Sequence, residues 1–350
     1  MPREEGAVEP MLQWSTMERS SGSLDFSGKL VPDLSAIPIS VRRATLSRSI
    51  RWFGWGFAET LMPLFILSFS TSLTEAGLIH SAYDIVFLLT LPIIGFLSDA
   101  LSSRLLLILG LSLYPLIGLG LYLAGETHLV LFLILARALN GISYCLDSIG
   151  FDTYIRRFTP RGAVASAFGF AASISNFMWL IAAILGVYLV QFMPIHSLLL
   201  LITPFSLLAF IPLLRAKKDM PDAKRLNARA LLTPLSAFLK EVAAMKRGLK
   251  GVVFLMFAFD VASIAATFFI PIEAYQSGAS LPAVAGLMVV SALPSLAEFW
   301  LAEFIDGSKH KRSIALFCAL ASLPFFFALS VFMSGFLSRI VIALGIETAA

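Results

Sequence analysis

Apolar runs of about 18–25 residues recur along most of the chain, parted by short gaps that hold most of its charge. That pattern leaves few folds open. A helix rising ~1.5 Å per residue crosses a hydrocarbon core of ~30 Å in roughly 20 residues. Inside lipid the backbone must satisfy its own hydrogen bonds, which admits only helices and closed barrels. The apolar–polar alternation that barrel strands need is absent. Composition agrees, with 58% apolar and 14% charged residues, against about a quarter charged in a soluble domain. The sequence predicts an all-α, polytopic helical membrane protein.

The runs place spans at Trp52–Ser70, Gly77–Leu97, Arg104–Ala124, Leu129–Ile149, Ala163–Val190, Ser197–Leu214, Gly251–Ile272, Pro282–Glu303 and Ser313–Ser334. A tenth starts near Arg339 and is cut by the last residue, Ala350, so the chain is expected to be C-terminally truncated. Lys and Arg fall in alternate gaps. Arg42, Arg43, Arg48 and Arg51 precede the first span, Arg104 follows the second, and Arg156 and Arg157 follow the fourth. The opposite gaps, TSLTEA, GETH, QFMPIH and EAYQSGAS, hold neither residue type. The positive-inside bias puts the N-terminus in the cytosol and the protein, multi-pass, in a cell membrane (plasma or inner).

Residues 1–48 are polar, lack the order of a signal peptide and are expected to form a disordered cytosolic tail. Residues 49–214 make a six-helix bundle, 215–250 a basic cytosolic linker, and 251–350 a second, incomplete bundle of three helices and part of a fourth. Within the linker, ALLTPLSAFLKEVAAMKRGLK has the spacing of an amphipathic surface helix. The halves echo one another: LTEAGLI before the second span, PAVAGLM before the eighth, Pro92 and Pro294 inside those spans, Asp99 and Asp306 after them. Repeated bundles around a shared site are a transporter signature.

Three local patterns sharpen this. GFLSDALSSR, in the gap after the second span, holds Gly95, Asp99 and Arg104. RALNG places Arg137 four residues before Gly141, and DTYIRRFTPRG holds Asp152 and Arg156 ahead of Gly162. In order, spacing and sidedness these resemble the major facilitator superfamily, over roughly residues 50–350. Its loop signature is Gly-x-x-x-Asp followed by basic residues and a second glycine. Ala100, Ser102 and Ser103 depart from it here. The resemblance implies two six-helix bundles that expose a central site alternately to the two sides of the membrane.

Charges inside a bilayer are costly and so mark function or fixed pairing. Glu59, Arg137, Asp147 and Asp260, with the polar Asn176, are the candidate cavity or coupling residues; Asp84 is a weaker one. The resemblance makes helices one and four neighbours, which implies a Glu59–Arg137 pair, and it gives Asp260 a position on a pathway-lining helix. It also brings the Asp99 loop against the end of the fourth helix. A cytosolic gate of Gly95, Asp99, Arg104, Asp152 and Arg156, repeated at Asp306, follows from that. Ser102 or Ser103 is placed to cap the third span.

The four histidines make no metal pair, and Cys145 and Cys318 lie in apolar runs as core residues. No Walker loop or Gly-x-Ser-x-Gly turn is present, so neither enzyme chemistry nor a cofactor is expected. The expected partners are a small-molecule solute, protons and the lipid bilayer, with no nucleic acid. The function expected is secondary active transport by alternating access, coupled to protons. The alternative is a non-transporting receptor or assembly factor on the same scaffold.

Overall fold

Helices account for nearly all of what the computed structural model describes: residues 37–160, 163–219 and 267–291, with isolated positions at 240, 244, 251, 264 and 293. These fall in one unit, Ser35–Ala350; the other, Met1–Leu34, lies outside the described residues. So do the expected amphipathic helix, apart from two isolated positions, and the ninth and tenth spans.

The helices are α1 (Ile39–Glu59), α2 (Met62–Leu67), α3 (Leu73–Ala100), α4 (Ser103–Thr127), α5 (Val130–Phe158), α6 (Val164–Leu189), α7 (Ile195–Leu199), α8 (Ile202–Leu214) and α9 (Leu281–Ser291). Among the described residues, five segments are long and apolar enough to cross a membrane: α3, α4, α5, α6 and the joined α7–α8. Their outward leucines fit lipid surroundings, with Leu88, Leu116 and Leu131 all more than half exposed. Pro92 and Pro115 sit inside α3 and α4 without ending them. The Pro115 carbonyl accepts from Thr203 Oγ1 of α8 at 3.0 Å, which ties the interrupted helix to its neighbour.

The ends of the spans follow from their sequence. Ser72 caps α3 by accepting from the Glu75 amide at 3.2 Å, while Glu75 Oε2 accepts from the Thr71 amide at 2.7 Å. Ser102 caps α4, accepting from the Leu105 amide at 3.1 Å. At its other end α4 stops on His128, in the left-handed region at φ 54°.

The first span departs from expectation. It starts at Ile39, not at Trp52, and breaks at Thr60–Leu61 into α1 and α2. Val41, Ala44, Thr45 and Ser47 are buried, so this face of α1 has a packing partner ahead of the apolar run. Ser47 Oγ donates to the Ala209 carbonyl of α8 at 2.7 Å. Residues 39–48, read from sequence as the end of a disordered tail, are helix.

The packing runs α3–α5–α4–α8–α1–α6, and α9 of the second half rests on α6. Two crossings are set by glycine. A Cβ on Gly186 would lie 2.0 Å from the Phe57 carbonyl oxygen, joining α6 to α1. On Gly141 it would lie 2.6 Å from the Tyr83 carbonyl oxygen, joining α5 to α3. Only a missing side chain lets the backbones approach this closely. The Arg137–Gly141 spacing thus puts the arginine one turn from the α3 contact.

Candidate functional site

Arg51 lies deep in the bundle. Its Nη2 donates to Asp147 Oδ2 of α5 at 2.8 Å, and the two side chains are only 3% and 6% exposed. Its guanidinium also rests 4.5 Å from the ring centre of Tyr114 on α4. From sequence Arg51 belonged to the interfacial charges before the first span, and Asp147 stood as a cavity residue. The early start of α1 puts them in one sealed contact among α1, α4 and α5. A charge pair removed from water must be mutually satisfied.

Two turns further along α1, Glu59 is in a different setting. It is partly exposed, and its Oε2 accepts from Trp179 Nε1 of α6 at 2.5 Å. The implied Glu59–Arg137 pair is not made: no ion pair joins Glu59 to a described residue. Arg137 turns toward α3 instead, where Nη2 donates to the His80 carbonyl at 3.2 Å and reaches His80 Nδ1 at 3.4 Å. The guanidinium lies 4.9 Å from the ring centre of Tyr83, and Nε is buried without a partner among the described residues. The reason is the Gly141 crossing, which draws α3 onto α5 so that the Tyr83 ring and the His80 backbone reach Arg137 first.

Aromatic rings surround this arginine. Tyr83, Phe87 and Tyr144 pack with centroids 5.7–6.2 Å apart. Phe268, from the second half, lies 4.3 Å from the His80 ring. The surroundings of Arg137 therefore combine a buried cation with aromatic faces. Asp84 is partly buried on α3, and Asn176 partly buried on α6. Asp260 and Asp306 lie outside the described residues. Groups of His, Cys, Asp and Glu able to hold a metal are absent among the described residues.

The basic ends of the helices meet at one end of the bundle, and of the expected residues Arg104 takes part. Asp99 is exposed and makes no ion pair with a described residue. Gly95 faces open space. Asp152 and Arg156 share an α5 face without an ion pair between them. The centre of this end is Asp219, five residues past α8. Its carboxylate accepts from the Ser103 amide and hydroxyl, each at 2.8 Å, from the Arg104 amide at 3.3 Å, and from Arg157 Nη1. Arg157 Nη2 also donates to the Ser98 carbonyl at 2.8 Å, and Arg104 Nη2 to the Leu214 carbonyl at 2.6 Å. Burial alone would raise the Asp219 carboxyl, but these donors, two of them free amides at the start of α4, hold it at about 2. The sequence reading passed over Asp219 because it stands in a charged linker. The available signal was an acid right after Lys217 and Lys218, within reach of a Ser-capped helix start.

Comparison with known proteins adds to this geometry. Residues 44–350 match the family model described as Major Facilitator Superfamily. Among solved structures, the chain is similar to a Major Facilitator Superfamily transporter, FucP, in the outward conformation. The TM-score is 0.63 at 20% identity, covering 89% of this chain and 82% of that one. It is similar too to an E. coli fucose:proton symporter, a FucP variant, with a TM-score of 0.62, 19% identity and the same coverage of 89% and 82%. No curated protein sequence matches the chain significantly.

Proposed function

The chain belongs to the Major Facilitator Superfamily, and from that premise we propose that it carries a small solute together with protons. Family and fold make it a multi-pass membrane transporter and not an enzyme. The finer reading rests chiefly on Glu59. This carboxyl is held by the Trp179 indole and by no cation at ion-pair distance among the described residues. A carboxyl free of an ion pair can gain or lose a proton without breaking one. Asp147, locked to Arg51, cannot.

In this reading Glu59 carries the proton and Arg137, framed by Tyr83 and His80, orients the solute. Asp84, Asn176 and Asp260 complete the polar lining. Asp219 anchors the linker to the first bundle, and exposed Asp99, with Gly95, Arg104, Asp152 and Arg156, is the gating face toward the second half. That one structure of this fold is named a fucose:proton symporter supports proton coupling; it does not name the solute here. The Lys and Arg bias supports a cell membrane with a cytosolic N-terminus.

The test is reconstitution of the full chain in liposomes under an imposed pH gradient, with a panel of labelled neutral and anionic solutes. Gradient-driven uptake of at least one solute is expected. Glu59→Gln should retain solute counterflow and lose the drive from the pH gradient. Unchanged pH dependence in Glu59→Gln removes Glu59 from the proton path. Absence of flux for every solute, together with capture of a soluble partner, favours the receptor alternative.

A further inference from the structure

At the basic end of the bundle α1 and α8 meet at the buried Ser47–Ala209 hydrogen bond and part on the outer side of it, where Leu46, Leu208 and Ile211 are about half exposed. Between them, backed by Met178 of α6, runs an open groove of about 550 Å³. Its inner end is shut by Phe53 and Phe205, whose ring centres lie 4.9 Å apart, edge to face. Its walls are apolar. Its mouth lies between Arg43 and Arg215, where Arg43 Nη1 donates to the Arg215 carbonyl at 2.7 Å.

Two features select an occupant. The first is length. From Arg43 to Phe53 on α1, and from Arg215 back to Phe205 on α8, the groove runs ten residues, or about 15 Å of helix. That is roughly one leaflet of a ~30 Å hydrocarbon core. The second is charge. The neighbouring Arg51 and Arg157 are committed to carboxylates, whereas neither Arg43 nor Arg215 makes an ion pair with a described residue. Two exposed guanidinium forks at the headgroup level of an apolar trough suit a phosphate with a hydrocarbon tail. We propose that this groove binds an anionic phospholipid of the leaflet at the basic face. One acyl chain lies between α1 and α8, and the phosphate sits between Arg43 and Arg215. Because α1 also carries Arg51 and Glu59, the bound lipid would couple leaflet composition to the helix that holds both.

The experiment is native mass spectrometry of the full chain, released from nanodiscs containing phosphatidylglycerol and phosphatidylcholine with matched acyl chains. Phosphatidylglycerol should be retained about 25-fold more tightly, with about fivefold lost on each of Arg43→Gln and Arg215→Gln. A second variant, Leu208→Trp, keeps both arginines and fills the trough; it should release the retained lipid. Equal retention of the two lipids by the unaltered protein overturns the proposal, whatever the variants do. A preference that survives both glutamine substitutions also overturns it. Displacement by free glycerol phosphate as effective as by phosphatidylglycerol would remove the acyl chain from the site. A photo-crosslinker at Leu208 should capture lipid, and capture of residues 220–250 of this chain instead would overturn the assignment.

Discussion

Two of the charged residues of helix α1, Arg51 and Glu59, stand about 12 Å apart along its axis, and they live in opposite conditions. Arg51 is sealed against Asp147 and the Tyr114 ring, with little surface left for water or solute. Glu59 is partly exposed, and an indole N–H holds it in place of a cation. In a medium of low polarity a close ion pair is strongly self-satisfied, and breaking it strands a charge. An acid without such a partner keeps its chemistry available. The comparison separates a fixed joint from a working group on one helix.

Breaking the joint should have the largest effect. Asp147→Ala leaves Arg51 buried without its counter-charge and should cost about 3–5 kcal/mol, read as a fall in thermal midpoint of the purified protein in detergent. The double variant Arg51→Met with Asp147→Leu should regain most of it. A single-variant cost below about 1 kcal/mol would erase the contrast with Glu59.

Next in size is Gly141→Ala, whose Cβ would press within 2.6 Å of the Tyr83 carbonyl. Overpacking of this kind costs about 1–3 kcal/mol. It would push α3 from α5, so the same measurement should be joined by a change in solute affinity through Tyr83 and Arg137. A loss of stability with affinity unchanged would detach Arg137 from the solute site.

The Asp219 clasp should matter less, because Arg157 remains partly in water. Its folded pKa, about 2, lies below the ordinary aspartate value of about 3.9. Its contribution is therefore fully present above pH ~4 and is lost as pH falls toward ~2. Asp219→Asn should cost about 1 kcal/mol near neutral pH and flatten that acid limb in a titration of unfolding midpoint. An unchanged limb would mean that other carboxylates govern it.

The smallest effect on stability belongs to Glu59→Gln, since the amide oxygen can still accept from Trp179. A change below about 1 kcal/mol is expected, alongside loss of pH-driven uptake. A large loss of stability would reveal an ion pair at Glu59 and collapse the comparison.

Much of the scaffold was legible in the chain. The boundaries of α3, α4, α5 and α6 are anticipated to within a few residues at most ends, because the apolar run that a bilayer demands is also the run that forms the helix. The Ser102 cap was readable because Ser before a helix start supplies an acceptor for free amides. At the site the reading weakened. Glu59 and Arg137 were both visible as intramembrane charges, but their partners were not. Which donor reaches a carboxylate depends on the rotation of two helices about their axes. Arg51 was misplaced for a related reason: hydropathy locates where a helix becomes apolar, and α1 starts thirteen residues before the expected Trp52.

The sequence by itself determined that this is a helical membrane protein, roughly where α3, α4, α5 and α6 run, and that Lys and Arg fall in alternate gaps between the apolar runs. Each of these follows from local physics: the thickness of a bilayer, the need to bond every backbone group, and the cost of moving charge across lipid. Only the tertiary structure decided that Asp147 belongs to Arg51, Glu59 to Trp179, Arg137 to His80 and Tyr83, and Asp219 to the start of α4. Those choices turn on helix crossings such as the one at Gly141, where residues distant in the chain come within bonding distance and compete for the same partner.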